Sequence, residues 1–561
     1  MARTSGGAVL ARALVQHGVG CVFTLCGNHL LSTYDAAIDC GLRLIDVRHE
    51  AAAAHMADAW ARVTGRPGVC LVTGGPGHTN ALTGIATAYA ADSPVIWLSG
   101  ASEAAHRGMG AMQELDQVAL ARPVTKWSAE VADIRQIPEH VARAFQVAQT
   151  GRPGPVHLSL PVDVMDATVP EDEVAFPEPV DWRAATRVGG NPALVRRALD
   201  LLVRAERPVV VAGAGAWWTG AGEPLRALAE ATGLPVFTVD TARGLVSDDH
   251  PLCLGYADPL LNPAAALFGQ ADAVLLLGKR LDFRLRFGQV FSPEAKLVQV
   301  DADAGGLGQN RQPAVAIAGS VAAVVEQLLE GARGYAWPGE PRGTWVKELR
   351  RAREAAAAAR EPAERSDQRP IHPLRIVREV RDLLGDDYCL AFDAGEFVQW
   401  ARQALPAREP GRWLRLGPLA TLGSAIPFAI AAKLARPTAR VFALTGDGGA
   451  GFYGFELDTA VRHRVPFVAV VANDAAWGME RNLQVGIYGR DRVIASELLP
   501  TRYDRVAEAL GACGEHVVGP EALRPALERA LAANRPALVN VESASISGAL
   551  TEASVRRKLG R

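Results

Sequence analysis

The chain reads as an α/β protein made of three consecutive open parallel-sheet domains. Three observations predict this. Short apolar, β-branched runs bounded by Gly, Pro or Asp alternate with Ala/Leu-rich helical stretches. Such runs read as strands buried on both faces, which with intervening helices imply βαβ units. Two Pro- and charge-rich segments then cut the alternation into thirds, and 561 residues is a length suited to about three to four domains.

In chain order, the first third (1–175) offers helices over 6–17, 51–64 and 137–150 and strands over 21–25, 69–73 and 95–99. A Pro- and acid-rich break at 170–190 follows. The second third (190–335) offers a helix over 194–204 and strands over 209–212, 273–278 and 297–301. The second break, 338–373, contains a charged Ala/Arg/Glu helix over 345–360 that leads into Glu361-Pro362 and Arg369-Pro370, and it reads as a linker. The last third (370–548) offers strands over 440–445 and 467–472 and a helix over 523–534, and a basic tail (549–561) follows. No short repeat of the solenoid kind interrupts this order.

Composition narrows the function. The 59 basic and 61 acidic side chains nearly cancel, which argues against a nucleic-acid-coating protein. Seven scattered cysteines contain no C-x-x-C, so a zinc site of paired spacing is excluded and a reducing compartment is expected. The N-terminus lacks an apolar leader segment, and no run of apolar residues approaches a membrane span. These features predict a cytoplasmic enzyme acting on a small molecule, with neither nucleic acid nor membrane as partner.

The chemistry concentrates after the strand at 441–445, in Gly446-Asp447-Gly448-Gly449. Glycines at a strand-to-helix turn let backbone N–H groups approach phosphate oxygens, and a helix N-terminus favours their charge. An Asp there suits Mg²⁺, which takes a few protein oxygens beside phosphate oxygens. The next strand ends in Asn473-Asp474, a second oxygen donor from a neighbouring strand.

Together these two segments resemble the signature of thiamine-diphosphate enzymes. Arg48-His49-Glu50-Ala51 with the alanine-rich run that follows, and Thr73-Gly74-Gly75-Pro76-Gly77-His78-Thr79-Asn80, resemble the acetolactate synthase-like superfamily. The resemblance covers essentially the whole chain. It implies a pyrimidine-binding domain, a central nucleotide-type domain and a diphosphate-binding domain, in that order. It further implies Mg²⁺ on Asp447, Asp474 and the carbonyl of Ala476, with thiamine diphosphate held by Gly446, Gly448, Gly449, Gly395, Glu396, Ala420 and Asn80. Leu422 would prop the cofactor in its bent shape. Glu50 would bond the pyrimidine and favour the tautomer that deprotonates the thiazolium carbon. Glu50 and Asp447 would come from different chains, so a homodimer or homotetramer is implied.

Four local features bear on which member this is. Cys26-Gly27-Asn28-His29 resembles benzaldehyde lyase and one branch of 2-hydroxyacyl-CoA lyases, and His29 is a proton carrier near neutral pH. Gln113, in Met112-Gln113-Glu114, matches a residue that faces the reacting carbonyl. Lys279, Arg280, Arg284 and Arg286 follow a strand of the middle domain, and four cations there suit the phosphates of an adenosine diphosphate moiety, whether in CoA or FAD. The segment 277–288 resembles that of oxalyl-CoA decarboxylase and 2-hydroxyacyl-CoA lyase, and that resemblance favours CoA over FAD. Glu480 follows the metal loop as a further acid/base. The implied reaction is cleavage, or reversible formation, of a 2-hydroxyacyl-CoA to formyl-CoA and an aldehyde or ketone. An acetolactate synthase-type carboligase acting on pyruvate and a flavin-dependent pyruvate oxidase-like enzyme remain alternatives.

Overall fold

The computed structural model describes residues 2–560. It contains three six-stranded sheets, all of their pairings parallel. The first lies in the spatial order Arg43–Asp46, Cys21–Leu25, Gly68–Val72, Val95–Ala101, Val156–Pro161, Trp127–Glu130. The third lies in the order Trp413–Arg415, Tyr388–Phe392, Arg440–Gly446, Val468–Asn473, Ala537–Glu542, Cys513–Val517. Counted in chain order within each domain, the two sheets have one topology. Each reverses direction between its first and third strands, and such a switch point opens a crevice at the strands' carboxyl ends. The middle sheet differs: Cys253–Tyr256, Val236–Thr238, Pro208–Ala212, Ala273–Leu277, Lys296–Asp301, Val315–Ala318. That is the doubly wound order of dinucleotide-binding folds.

The apolar runs become central strands because both faces are covered by helices. Val209, Val210, Val211, Leu275 and Leu276 are inaccessible to solvent. A short antiparallel pair, Arg3–Ser5 with Thr168–Pro170, closes the first domain by joining its two ends. The second break is more ordered than a linker. It forms one helix, Glu340–Glu364, whose Trp345 and Leu349 sit in the middle domain's core. Arg342, also in it, is buried while donating to the carbonyls of Thr232, Leu202 and Ala205. The basic tail is likewise a helix, Ala549–Lys558, packed on Gly478–Tyr488. All seven cysteines are free, and no described helix is long and apolar enough to cross a membrane.

The outer domains share one core. Helix Glu50–Thr64 presents Ala51, Ala52, Ala53, Ala54, Ala57 and Ala59 to a cluster that also holds Ala425, Phe428, Ala429 and Ala432 of helix Ala425–Ala435. Small side chains let the two backbones approach closely, and that contact excludes water from Glu50 to Ala59. Glu456 fixes the start of the first helix. Its carboxylate accepts the backbone N–H of Arg48 at 3.0 Å, that of His49 at 3.1 Å and the hydroxyl of Thr459 at 2.6 Å.

Burial pushes the Glu456 carboxyl from 4.5 up to about 7. An acid raised in the folded state contributes stability that is present below its ordinary value and lost as pH rises through the folded one. The melting temperature of wild type minus that of Glu456→Gln is therefore expected to fall between about pH 4.5 and about pH 7 and level off above. Scanning calorimetry of both proteins checks it, and a pH-independent difference would contradict it.

Candidate active site

At the first sheet's switch point the sequence-predicted residues gather around Thr73. His29 follows strand Cys21–Leu25, is buried, and its Nδ1 lies 2.8 Å from the hydroxyl of Thr73. Gly77, in the first turn of helix Pro76–Ala90, is so close that a Cβ there would sit 2.8 Å from Thr73 and 3.6 Å from Glu50 Oε1. Glu50 is buried at the start of its own helix and accepts from Asn80 Nδ2 at 3.0 Å. Gln113 lies against Gly75 with a left-handed backbone, φ +63°. Burial lowers the His29 imidazole, which favours its neutral form.

At the third sheet's switch point a cavity of about 270 Å³ is lined by Gly395, Glu396, Ala420, Leu422, Gly446, Asp447, Gly448, Gly449, Asp474, Ala476 and Glu480. Every lining residue comes from 373–544, none from the first domain. The walls are backbone where a side chain would not fit. A Cβ on Gly448 would meet the Trp477 ring at 2.6 Å, and one on Gly449 would meet Thr445 Oγ1 at 2.5 Å. Ala420 and Ala475, in the loops beside the cavity, are left-handed at φ +57° and +52°. Each such residue costs about 1–3 kcal/mol and persists only where its surroundings over-determine it.

Asp447 is buried and accepts from the Ala476 N–H at 3.0 Å. Burial and the neighbouring Asp474 charge push its carboxyl up to about 7. Asp474 is raised too, mainly by burial, and pairs with Arg481 at 3.0 Å. Two carboxylates that resist joint ionisation are a donor set a divalent cation would relieve. Among the described residues no cluster of three or more His, Cys, Asp or Glu forms a metal site, so the remaining ligands would be backbone, phosphate or water oxygens.

Some predicted contacts take a different form. Glu396 lines the cavity, yet its carboxylate is engaged by the backbone N–H of Gly548, the Thr551 hydroxyl at 2.9 Å and Asn482 Nδ2 at 3.2 Å. It anchors the C-terminal helix. The four middle-domain cations do not form one free cluster. Arg284 is buried against Asp240 at 3.0 Å, and buried Lys279 pairs with Asp282 and Asp240. Arg280 pairs with Asp92 at 3.0 Å, and only Arg286 is both exposed and unpaired among described residues. Asp240 sits too far along the chain for spacing to reveal this.

Comparison with known proteins agrees with this geometry. Residues 4–120 match the thiamine pyrophosphate enzyme N-terminal TPP binding domain, 195–328 the central domain and 393–541 the C-terminal TPP binding domain. The chain belongs to the thiamine pyrophosphate enzymes. It is 39% identical over 537 residues to the acetolactate synthase large subunit IlvG of Mycobacterium tuberculosis, covering 95% of each chain. It is also 36% identical over 545 residues to 2-hydroxyacyl-CoA lyase 2 of Bos taurus and of Homo sapiens, covering 91% of this chain and 84% of those.

Two residues of this thiamine pyrophosphate enzyme escaped sequence reasoning. Buried Gln117 accepts from Gly75 N at 2.9 Å and donates to Gly100 O at 3.0 Å, holding the loop beside Glu50. Buried Asp393 accepts from Gly423 N at 2.8 Å and from the Thr445 hydroxyl at 3.0 Å, joining three loops of the diphosphate-side cavity. Asp393 directly follows strand Tyr388–Phe392, which was its only sequence signal; Gln117 opens helix Gln117–Ala121 and carried none.

Gly448→Ala is expected to weaken thiamine diphosphate binding about five- to hundredfold, since overpacking costs roughly 1–3 kcal/mol and the added methyl pushes on the Trp477 ring in the cavity wall. Titration calorimetry checks the affinity, with circular dichroism as the control for fold; unchanged affinity would contradict the cradle.

Proposed function

We propose that the enzyme is a carbon–carbon lyase that cleaves, or in reverse forms, a 2-hydroxyacyl-CoA to formyl-CoA and an aldehyde or ketone. The observation that carries this reading is His29, seated at the first crevice with Nδ1 tied to Thr73 and with Nε2 making no hydrogen bond among described residues. In the tautomer that donates Nδ1–H to the Thr73 hydroxyl at 2.8 Å, rather than the one that accepts from Gly74 N–H at 3.4 Å, the neutral imidazole keeps Nε2 free. That nitrogen can take the proton of a substrate hydroxyl as the C–C bond breaks. Thiamine diphosphate, when bound, supplies a nucleophilic carbon and an electron sink. Glu50, steadied by Asn80, holds a proton at the cofactor's pyrimidine; Gln113 orients the reacting carbonyl, and Glu480 returns a proton to the product side. Asp447, Asp474 and the carbonyl of Ala476 would hold Mg²⁺, and Gly446, Gly448 and Gly449 would receive the diphosphate. Leu422 and Ala420 shape the cavity wall.

The complete site on this reading is built by two copies of the chain, in a homodimer or homotetramer. Supporting this, exposed apolar side chains flank both half-sites: Met109 and Met112 in the first domain, Phe452, Phe455 and Leu499 in the third. Patches of this kind favour protein contact. The seven free cysteines support a reducing, cytoplasmic setting. Arg280 and Arg286 remain the middle-domain candidates for CoA phosphates. The likeness to IlvG favours a second reading, an acetolactate synthase-type carboligase acting on pyruvate.

Incubation of the Mg²⁺-loaded holoenzyme with 2-hydroxyacyl-CoAs and, separately, with pyruvate, read by mass spectrometry, decides between them. Formyl-CoA release is expected; acetolactate alone would select the second reading, and bound flavin absorbance a flavin enzyme. Glu50→Gln is expected to keep the fold and lower kcat on the order of 10²–10⁴-fold, the range of general acid–base catalysis. Asp447→Ala is expected to abolish Mg²⁺-dependent cofactor retention while Asp474→Asn, which keeps an oxygen ligand, is mild. Equal damage from both would overturn the metal assignment.

A further inference from the structure

A second cavity, of about 300 Å³, shares no lining residue with the cofactor cavity. It lies where strand Cys253–Tyr256, helix Glu340–Glu364 and the end of helix Glu396–Ala404 meet. Arg243, Arg353, Arg360, Arg381, Arg402 and Arg408 line it, and Asp248 is its one carboxylate. A cavity of this size is at the small end of those that hold metabolites.

Most of these cations are accounted for. Asp248 takes Arg243, Glu364 takes Arg381 at 2.7 Å, and Asp249 takes Arg408 at 2.9 Å. Arg353 donates to the carbonyls of Asp248 and Cys253. Arg360 is left 3.8 Å from the already occupied Glu364, its Nε buried without a partner. Arg402 stands apart. It is only 4% exposed, yet it makes no hydrogen bond or ion pair among the described residues, and its Nε is buried without a partner. Its guanidinium lies 5.8 Å from the centre of the Tyr256 ring, and that of Arg243 lies 5.6 Å from the same ring. An aromatic ring can hold two cations near each other, but it does not supply the hydrogen-bond acceptors that five N–H donors require.

Asp240 acts on Arg402 only beyond ion-pair distance and is already paired with Arg284 and Arg415. A buried guanidinium without acceptors is costly, so this arrangement is explained by an anion that completes it. Planar guanidinium forks converging on one space match phosphate oxygens in pairs. We propose that this cavity binds a small phosphate-bearing anion, at a site separate from that of the diphosphate cofactor. Burial, and after it the like charges of Arg381 and Arg353, lower the proton affinity of Arg360, while Glu364 partly offsets them. The phosphate can belong to a free inorganic anion or to a nucleotide.

The test is titration calorimetry of holoenzyme saturated with thiamine diphosphate and Mg²⁺, using inorganic phosphate, pyrophosphate and ADP as probes. Saturable binding of at least one probe is expected; pyrophosphate binding with no gain from ADP identifies a free anion, and preference for ADP a nucleotide. Arg402→Gln is expected to weaken binding at least about tenfold, and Arg402→Lys less, because an ammonium keeps charge but not the fork. Without anion, Arg402→Gln is expected to melt at or above wild type, since it removes an uncompensated charge, and pyrophosphate should raise only the wild-type melting temperature. If no probe binds, if Arg402→Gln binds equally well, or if that variant melts lower without anion, the proposal is wrong and Arg402 is a structural cation on Tyr256.

Discussion

The seam between helices Glu50–Thr64 and Ala425–Ala435 is the contact on which the active-site geometry depends. Alanine after alanine faces it, so backbones rather than long side chains set the separation. Within it Arg62 and Asp58 pair at 2.5 Å, both buried, and Arg62 also donates to the carbonyl of Arg415 across the domain boundary. A buried pair of this kind is weak evidence for stability but breaks badly if one partner is lost. Its geometric effect is plain. One face of the helix is committed to the third domain of the same chain, while its first residue, Glu50, stays with Asn80 and Thr73 in the first domain's crevice. The seam thereby separates the two half-sites within a chain and gives each a rigid support.

Rigidity has a local cost at the sites themselves. Gln113, Ala420 and Ala475 hold left-handed backbones, Asp447 and Asp474 face each other as raised acids, and Glu396 is buried within a cage of donors. Such strain and repulsion concentrate where a ligand or metal is to be received, and the surrounding cores compensate for them.

The fold was legible because its signals are local. A strand buried on both faces announces itself as an apolar run, and Gly446-Asp447-Gly448-Gly449 carries its turn and its carboxylate in adjacent residues. Even so, the charged segment after residue 338 read as a linker, because its helix is mostly polar; what buries it is a sparse set, Arg342, Trp345 and Leu349. The pairings that organise the site were not legible for a different reason. Glu456 meets the backbone of Arg48 across 408 residues, and Asp248 reaches the Ala407 N–H across 159. No spacing within a motif encodes a contact between separate domains.

The same reason explains why charge counting misleads in the middle domain. Lys279, Arg280, Arg284 and Arg286 form the densest basic run after a strand, and a dense basic run invites a phosphate. In the fold, Asp240 takes Arg284 and, at 3.2 Å, Arg415 of the third domain, with Lys279 beside them. Those charges join domains to each other. Arg402, by contrast, is a single arginine in an unremarkable helical stretch, and only the folded chain shows that no described residue hydrogen-bonds or ion-pairs with it. A cation's availability to a ligand is therefore set by the carboxylates that the fold brings to it, and the residue with the least conspicuous sequence context holds the free charge.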